Sequence, residues 1–312
     1  MKKTQRILLL LIAMALVSCK KPIGYGNLSV NIDYSINGKS LITDSIYYHN
    51  EAENEFMITE IQWFISKMEL QNEQGDWYRL NHKKVELPFA HPTDWIFYID
   101  TNIPETQILE IASLPVGKYK TLRFNFGLDE DDNQTGFFNN PPESNMFWPE
   151  PLGGGYHYMK LNGRFVDSEG QLVPLNIHLG IGQNEDHSIF YQNYFTIEGP
   201  INLTITENTE NQFDLCMIID NWFRSPNLYD FNEFGSAIMQ NQAAQQVLKE
   251  NGMDVFIWSI SEKQNETTMK KNEIVEGFNR FMQKAAPKPH FWTWKNVKQT
   301  LEQIKESSKN RS

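Results

Sequence analysis

Short stretches in which apolar and polar residues alternate, each closed by turn formers, dominate the middle of this chain and leave it little choice but sheet. In Leu28-Ser29-Val30-Asn31-Ile32-Asp33-Tyr34 every second side chain is apolar, as in a strand with one buried face. Ile61-Gln62-Trp63-Phe64-Ile65-Ser66-Lys67-Met68-Glu69-Leu70 is aromatic and β-branched, and Asn72-Glu73-Gln74-Gly75-Asp76 supplies a turn before Trp77-Tyr78-Arg79-Leu80. The pattern continues at residues 95–100 and 117–126, then at 157–166, 172–181, 189–197, 200–207 and 212–219. Strands of this length between turns predict a mainly β fold, an antiparallel two-sheet sandwich of immunoglobulin-like type, over residues 27–262. From about residue 231 the period becomes helical through Phe234, Ile238, Ala243, Val247 and Leu248. Residues 268–285 and 293–306 also read as helix, so the fold is expected to carry C-terminal helical segments and a basic tail at 263–312.

The first residues place this domain outside the cytoplasm. Met1-Lys2-Lys3-Thr4-Gln5-Arg6 is a positive leader, and Ile7 through Val17 are apolar. A run of that length spans about half a bilayer as a helix, which suits a cleaved signal over residues 1–18 and not a membrane span. Leu16-Val17-Ser18-Cys19 resembles a lipobox, so Cys19 is expected to carry lipid and residues 19–26 to link it to the domain. Lys20-Lys21 lacks the acidic residues associated with surface export, so the expected location is the cell envelope, on the outer membrane facing the periplasm.

Charge and cysteine content narrow the function. The chain carries −11; residues 262–312 hold eleven Lys+Arg and six Glu, a net +5, so the remainder holds −16. Such an acidic body is a poor nucleic-acid surface. With Cys19 lipidated, Cys216 has no partner for an intrachain disulfide, and its apolar neighbours read as core. Haem-attachment motifs, zinc-type cysteine pairs, phosphate loops and GxSxG elbows are all missing, and no enzymatic activity is expected.

Residues 129–155 interrupt the strand rhythm with Asp, Asn, Pro and Gly, plus Phe137, Phe138, Phe147 and Trp148; long loops of this kind are commonly functional. Two histidines flank the following turn. If Asp167-Ser168-Glu169-Gly170 closes a hairpin with Val166 opposite Gln171, His157 faces Gly180 and lies diagonal to His178 on one side of the sheet. One residue more or less in the turn would put the two on opposite faces. Imidazoles so placed suit copper, zinc or nickel, and Met159 or Met146 would add a soft donor favouring Cu(I). Asp129, Asp131 and Asn133 alternate as in oxygen-lined calcium loops, although Gln134 and Asn140 stand where an EF-hand needs Gly and Glu.

Several phrases also resemble one family in order. They are Glu60-Ile61-Gln62-Trp63-Phe64-Ile65-Ser66 through Leu70; Gly117-Lys118-Tyr119 with Phe124, then Gly127-Leu128-Asp129 and Asn133; Met146-Phe147-Trp148 with Gly155-Tyr156; Lys160-Leu161-Asn162-Gly163; His178-Leu179-Gly180; and Asp220-Asn221-Trp222-Phe223 with Pro226. The chain is similar over about 27–260 to the MbnP-like proteins, named for methanobactin-associated periplasmic copper binders. That resemblance implies a secreted β-sandwich in which two histidines and a tryptophan oxidised to kynurenine hold copper, with a dihaem cytochrome c peroxidase-like partner. The relatives place a tryptophan two residues before a ligand histidine; this sequence has no Trp-x-His. The metal candidates are therefore His178, His157, Trp148 and Met159. The alternative is a binding module for a protein or carbohydrate, using the 129–155 loop and its aromatic neighbours.

Overall fold

The computed structural model describes residues 23–44, 47–83, 93–207 and 209–260. The predicted signal, the expected lipidation of Cys19 and the predicted helical tail at 263–312 lie outside the described residues. In chain order the strands are β1 (Tyr25–Ile36), β2 (Lys39–Ser40), β3 (Tyr48–His49), β4 (Glu55–Asn72), β5 (Trp77–Arg79), β6 (Ile96–Asp100), β7 (Ile108–Pro115) and β8 (Gly117–Phe126). There follow β9 (Met159–Val166), β10 (Leu172–Leu179), β11 (Gly182–Gln183), β12 (Phe190–Tyr191), β13 (Phe195–Ile205), β14 (Glu210–Ile218) and β15 (Phe256–Ile260).

Two sheets form the expected sandwich. One has five strands, ordered β15-β14-β1-β2 with β7 also on β1; the other has eight, ordered β10-β9-β4-β8-β13 with β3, β5 and β6 on β4. Pairing is antiparallel except between β1 and β14, which run parallel from Asn27↔Glu210 to Ser35↔Ile218. The alternation that marks β1 in the sequence is its burial pattern: Leu28, Val30, Ile32 and Tyr34 point inward. Aromatics close the gap between the sheets. Trp63 of β4 and Phe124 of β8 both pack on Phe256 of β15, at 5.2 and 5.3 Å between ring centroids. The buried indole of Trp63 donates across the gap to the Tyr34 hydroxyl at 2.9 Å, which meets the polar requirement of a buried Trp.

Three local readings change. The strands predicted at 189–197 and 200–207 are largely one, β13, whose pairing with β8 shifts register between Pro200 and Leu203. Pro200 has no N–H to give a ladder, so a bulge at that point keeps the strand continuous. The predicted helix from 231 is two short pieces, α1 (Phe231–Phe234), capped by Asp230, and α2 (Gln242–Asn251), capped by Asn241 accepting from Ala244 N at 3.1 Å. Cys216 is half-buried on the outward side of β14, between the buried Leu215 and Met217, so it is not a core residue.

Candidate metal centre

The hairpin that carries the two histidines differs from the predicted one by a single residue. β9 and β10 pair from Leu172↔Val166 to Leu179↔Met159, so the turn spans 167–171. Asp167 builds it: its carboxylate accepts from Glu169 N at 2.9 Å and Gln171 N at 2.8 Å, and Gly170 supplies φ +76°. In that register His178 pairs with Lys160, and a continued ladder would send His157 to the other face.

The ladder does not continue. β9 begins at Met159; Tyr158 N still bonds Leu179 O at 2.7 Å, but His157 N turns to Met146 O at 2.6 Å. Leaving the strand swings His157 back toward His178. Their rings meet edge to face, centroids 5.1 Å apart and planes at 83°. Two metal–nitrogen bonds of about 2.0 Å plus the two ring radii span about 5–6 Å, so the pair has the separation that a shared ion requires.

Hydrogen bonds fix which nitrogen of each ring is free. His157 Nδ1 lies 2.8 Å from the Met146 carbonyl, which can only accept, so the proton is on Nδ1. Its Nε2 is buried and has no hydrogen-bond partner, although the residue is only 5% exposed. His178 Nε2 lies 2.7 Å from Asn162 Oδ1. The Asn162 amide is oriented by its Nδ2, which donates to Glu60 Oε2 at 3.0 Å, so His178 Nε2 donates and Nδ1 keeps its lone pair. Burial pushes the His157 imidazole down to about 3 and that of His178 down to about 4, aided in both by the Lys160 ammonium. Both rings are neutral at physiological pH, each anchored by one N–H, as metal-ligating histidines are.

Trp148 completes the wall. It is fully buried, 4.7 Å from His157 between ring centroids, and its Nε1 donates to Leu152 O at 3.0 Å. The indole lies on Gly180, where an added Cβ would come within 2.5 Å of Cε3, so the glycine of the His-x-Gly phrase is a seat for tryptophan. Gly155, at φ +76°, closes the loop: its carbonyl accepts Trp148 N at 2.8 Å, and a Cβ there would strike Asn133 Oδ1. An indole N–H is a donor only, so Trp148 as tryptophan supplies no lone pair to a metal.

The structure therefore brings His157, His178 and Trp148 together and leaves Met159 out. Met159 has the inward parity of β9, fully buried opposite Leu179 and Trp63, whereas His178 and Lys160 share the outward parity. Among the described residues no group of three or more His, Cys, Asp or Glu forms a metal cluster. Asn162 and the Met146 carbonyl were not singled out in the sequence; the even spacing of Lys160 and Asn162 on the outward side of β9 was the available signal.

The calcium proposal is overturned. Lys67, at a β-bulge of β4 with φ +51°, brings its ammonium into contact with Asp129 and to 3.5 Å from Asp132, where a cation would sit. Asn133 turns inward, accepting from Tyr156 N at 2.8 Å, and Asp131 is exposed. Lys67→Met should thus cost about 2 kcal/mol in urea unfolding, because it strands two carboxylates, one of them buried. A loss below about 0.5 kcal/mol would show that the ammonium does not neutralise them.

The family model for MbnP matches residues 25–259. This chain belongs to the MbnP family. A solved structure of MbnP from Methylosinus trichosporium superposes with a TM-score of 0.50 at 12% identity, covering 77% of this chain and 100% of that one. At that identity the likeness speaks for the fold alone. A search of curated proteins found no match. Within this MbnP-family chain the family phrases now have physical content. Asn133 pins Tyr156 and, through Nδ2, the Tyr158 hydroxyl at 3.3 Å, and Gly163 lets β9 pass the Met57 carbonyl, which a Cβ would meet at 2.1 Å.

Proposed function

We propose that this MbnP-family chain is a cell-envelope copper-binding protein, tethered by lipid on Cys19, in which His157 and His178 hold the ion. It serves a dihaem peroxidase-like partner and has no catalytic activity of its own. The paired imidazoles carry this reading: two neutral rings 5.1 Å apart, each anchored by one N–H, one of them with a buried nitrogen lacking any partner. An unpaired polar atom in such surroundings is costly unless something binds it. Copper heads the divalent affinity order and accepts imidazole readily. Bound copper would supply a soft, redox-active ion, and Trp148 stands where a partner's oxidation of the indole to kynurenine would add a donor beside His157.

The test is anaerobic titration with Cu(I) against a competing chelator. One ion per chain is expected, with affinity falling about 100-fold in His178→Ala and about tenfold in Asn162→Leu, which leaves the ring unoriented. Mass spectrometry of protein made alongside its partner would reveal oxidation of Trp148. Failure to retain copper at micromolar Cu(I) removes the proposal in favour of a non-metal binding module. Two observations favour that second reading: Phe147 is 42% exposed beside buried Met146 and Trp148, and a cleft of about 330 Å³ is lined by Glu130, Gln134, Thr135 and Gln192.

A further inference from the structure

A positive charge stands beside the two imidazoles. Lys160 lies directly across the β9–β10 ladder from His178, where facing Cβ atoms are about 5 Å apart. Its ammonium donates to the Asn145 carbonyl, in the loop that also carries Met146 and Trp148. The field of a cation so placed disfavours a metal ion on the imidazole nitrogens, in proportion to the charge of the ion.

Nothing anionic in the ligand set offsets that field. Among the described residues no carboxylate or thiolate joins the two rings in a cluster of three. Glu60 stands one residue further out, accepting from Asn162 Nδ2 and, at 3.0 Å, from Asn102 Nδ2; its charge acts on Lys160. Two neutral nitrogen donors beside a fixed cation form a poor cradle for a dication and a tolerable one for a soft monocation.

We propose that Lys160 is a specificity-determining residue, whose ammonium biases the His157–His178 pair toward monovalent copper and against Zn(II) and other dications. This rests on the copper reading of that pair. Affinity order alone would not produce the bias, since imidazole sites bind Cu(II) and Zn(II) strongly. The repulsion is twofold greater for a dication, so removing the charge should relieve divalent binding more than monovalent binding.

The experiment compares Cu(I) and Zn(II) affinities of the purified full-length protein with those of Lys160→Gln and Lys160→Arg, by chelator competition. Gln keeps a donor for Asn145 and loses the charge; Arg keeps both. In Lys160→Gln the Zn(II) affinity should rise on the order of tenfold relative to Cu(I), while Lys160→Arg keeps the wild-type ratio. Wild-type protein that holds Cu(I), with the ratio unchanged in Lys160→Gln, overturns the role of the charge and leaves the copper reading standing. A Zn(II)-to-Cu(I) affinity ratio that rises equally in Lys160→Arg overturns it too, because packing and not charge would then be responsible. Wild-type protein that holds neither ion overturns the copper reading and this assignment together.

Discussion

Metal-free protein should lose stability steeply as the pH falls from about 6.5 to 4, by roughly 1.4 kcal/mol per pH unit for each of His157 and His178. The sign follows from linkage. In the unfolded chain both imidazoles titrate near 6.5, whereas folding pushes His157 down to about 3 and His178 down to about 4. Between those limits the unfolded state binds protons that the folded state refuses, so acid favours unfolding; above pH 6.5 both states are neutral and the effect vanishes. The His157 contribution is the firmer, since that ring is 5% exposed, and the solvent reaching His178 trims its share. Urea unfolding at pH 7 and pH 4.5 measures the slope, and His157→Phe, which keeps the ring and drops the titration, should flatten it. A wild-type slope no steeper than that of His157→Phe would mean that the His157 ring is hydrated and protonates freely in the fold.

Trp148→Ala should cost about 3–5 kcal/mol, the range for deleting a large buried aromatic side chain. The indole fills the space above Gly180, leans on His157 and ties the loop through Leu152 O, so its removal opens a cavity and releases a hydrogen bond together. Because Gly180 has no side chain to collapse into the gap, the surroundings relax poorly and the upper part of the range is expected. The consequence for the site is specific. With the wall gone, water reaches the buried Nε2 of His157, and its pKa should return toward the ordinary histidine value in an NMR titration. A destabilisation under 1 kcal/mol, or a His157 titration unmoved, would show that the 146–157 segment does not enclose the ring as described.

These two effects share a source, the segment that departs from β9 and folds over the sheet. Its hydrogen bonds are mostly its own: Trp148 N to Gly155 O, Trp148 Nε1 to Leu152 O, His157 to Met146 O, with Asn133 pinning Tyr156 from the neighbouring loop. The aspartate and asparagine of 129–133 serve this architecture by binding Lys67 and the Tyr156 amide. Of the residues whose spacing resembles a calcium loop, Asp129 faces Lys67, Asn133 faces the core and Asp131 is exposed.

The sandwich was legible in the sequence because its cause is local. A period of two in hydrophobicity puts every second side chain on one face, and a face such as Leu28, Val30, Ile32 and Tyr34 has no stable home except against another sheet. The histidine and tryptophan phrases were legible as well, as candidates. Their convergence was not, because it depends on where a strand stops. The true register would have parted His157 from His178, and they meet because bonds to Met146, within the loop that covers the sheet, pull His157 out of the ladder. Periodicity cannot report the end of its own reach; packing between a loop and a sheet decided that, and with it which two rings meet and which nitrogen of each is left without a proton.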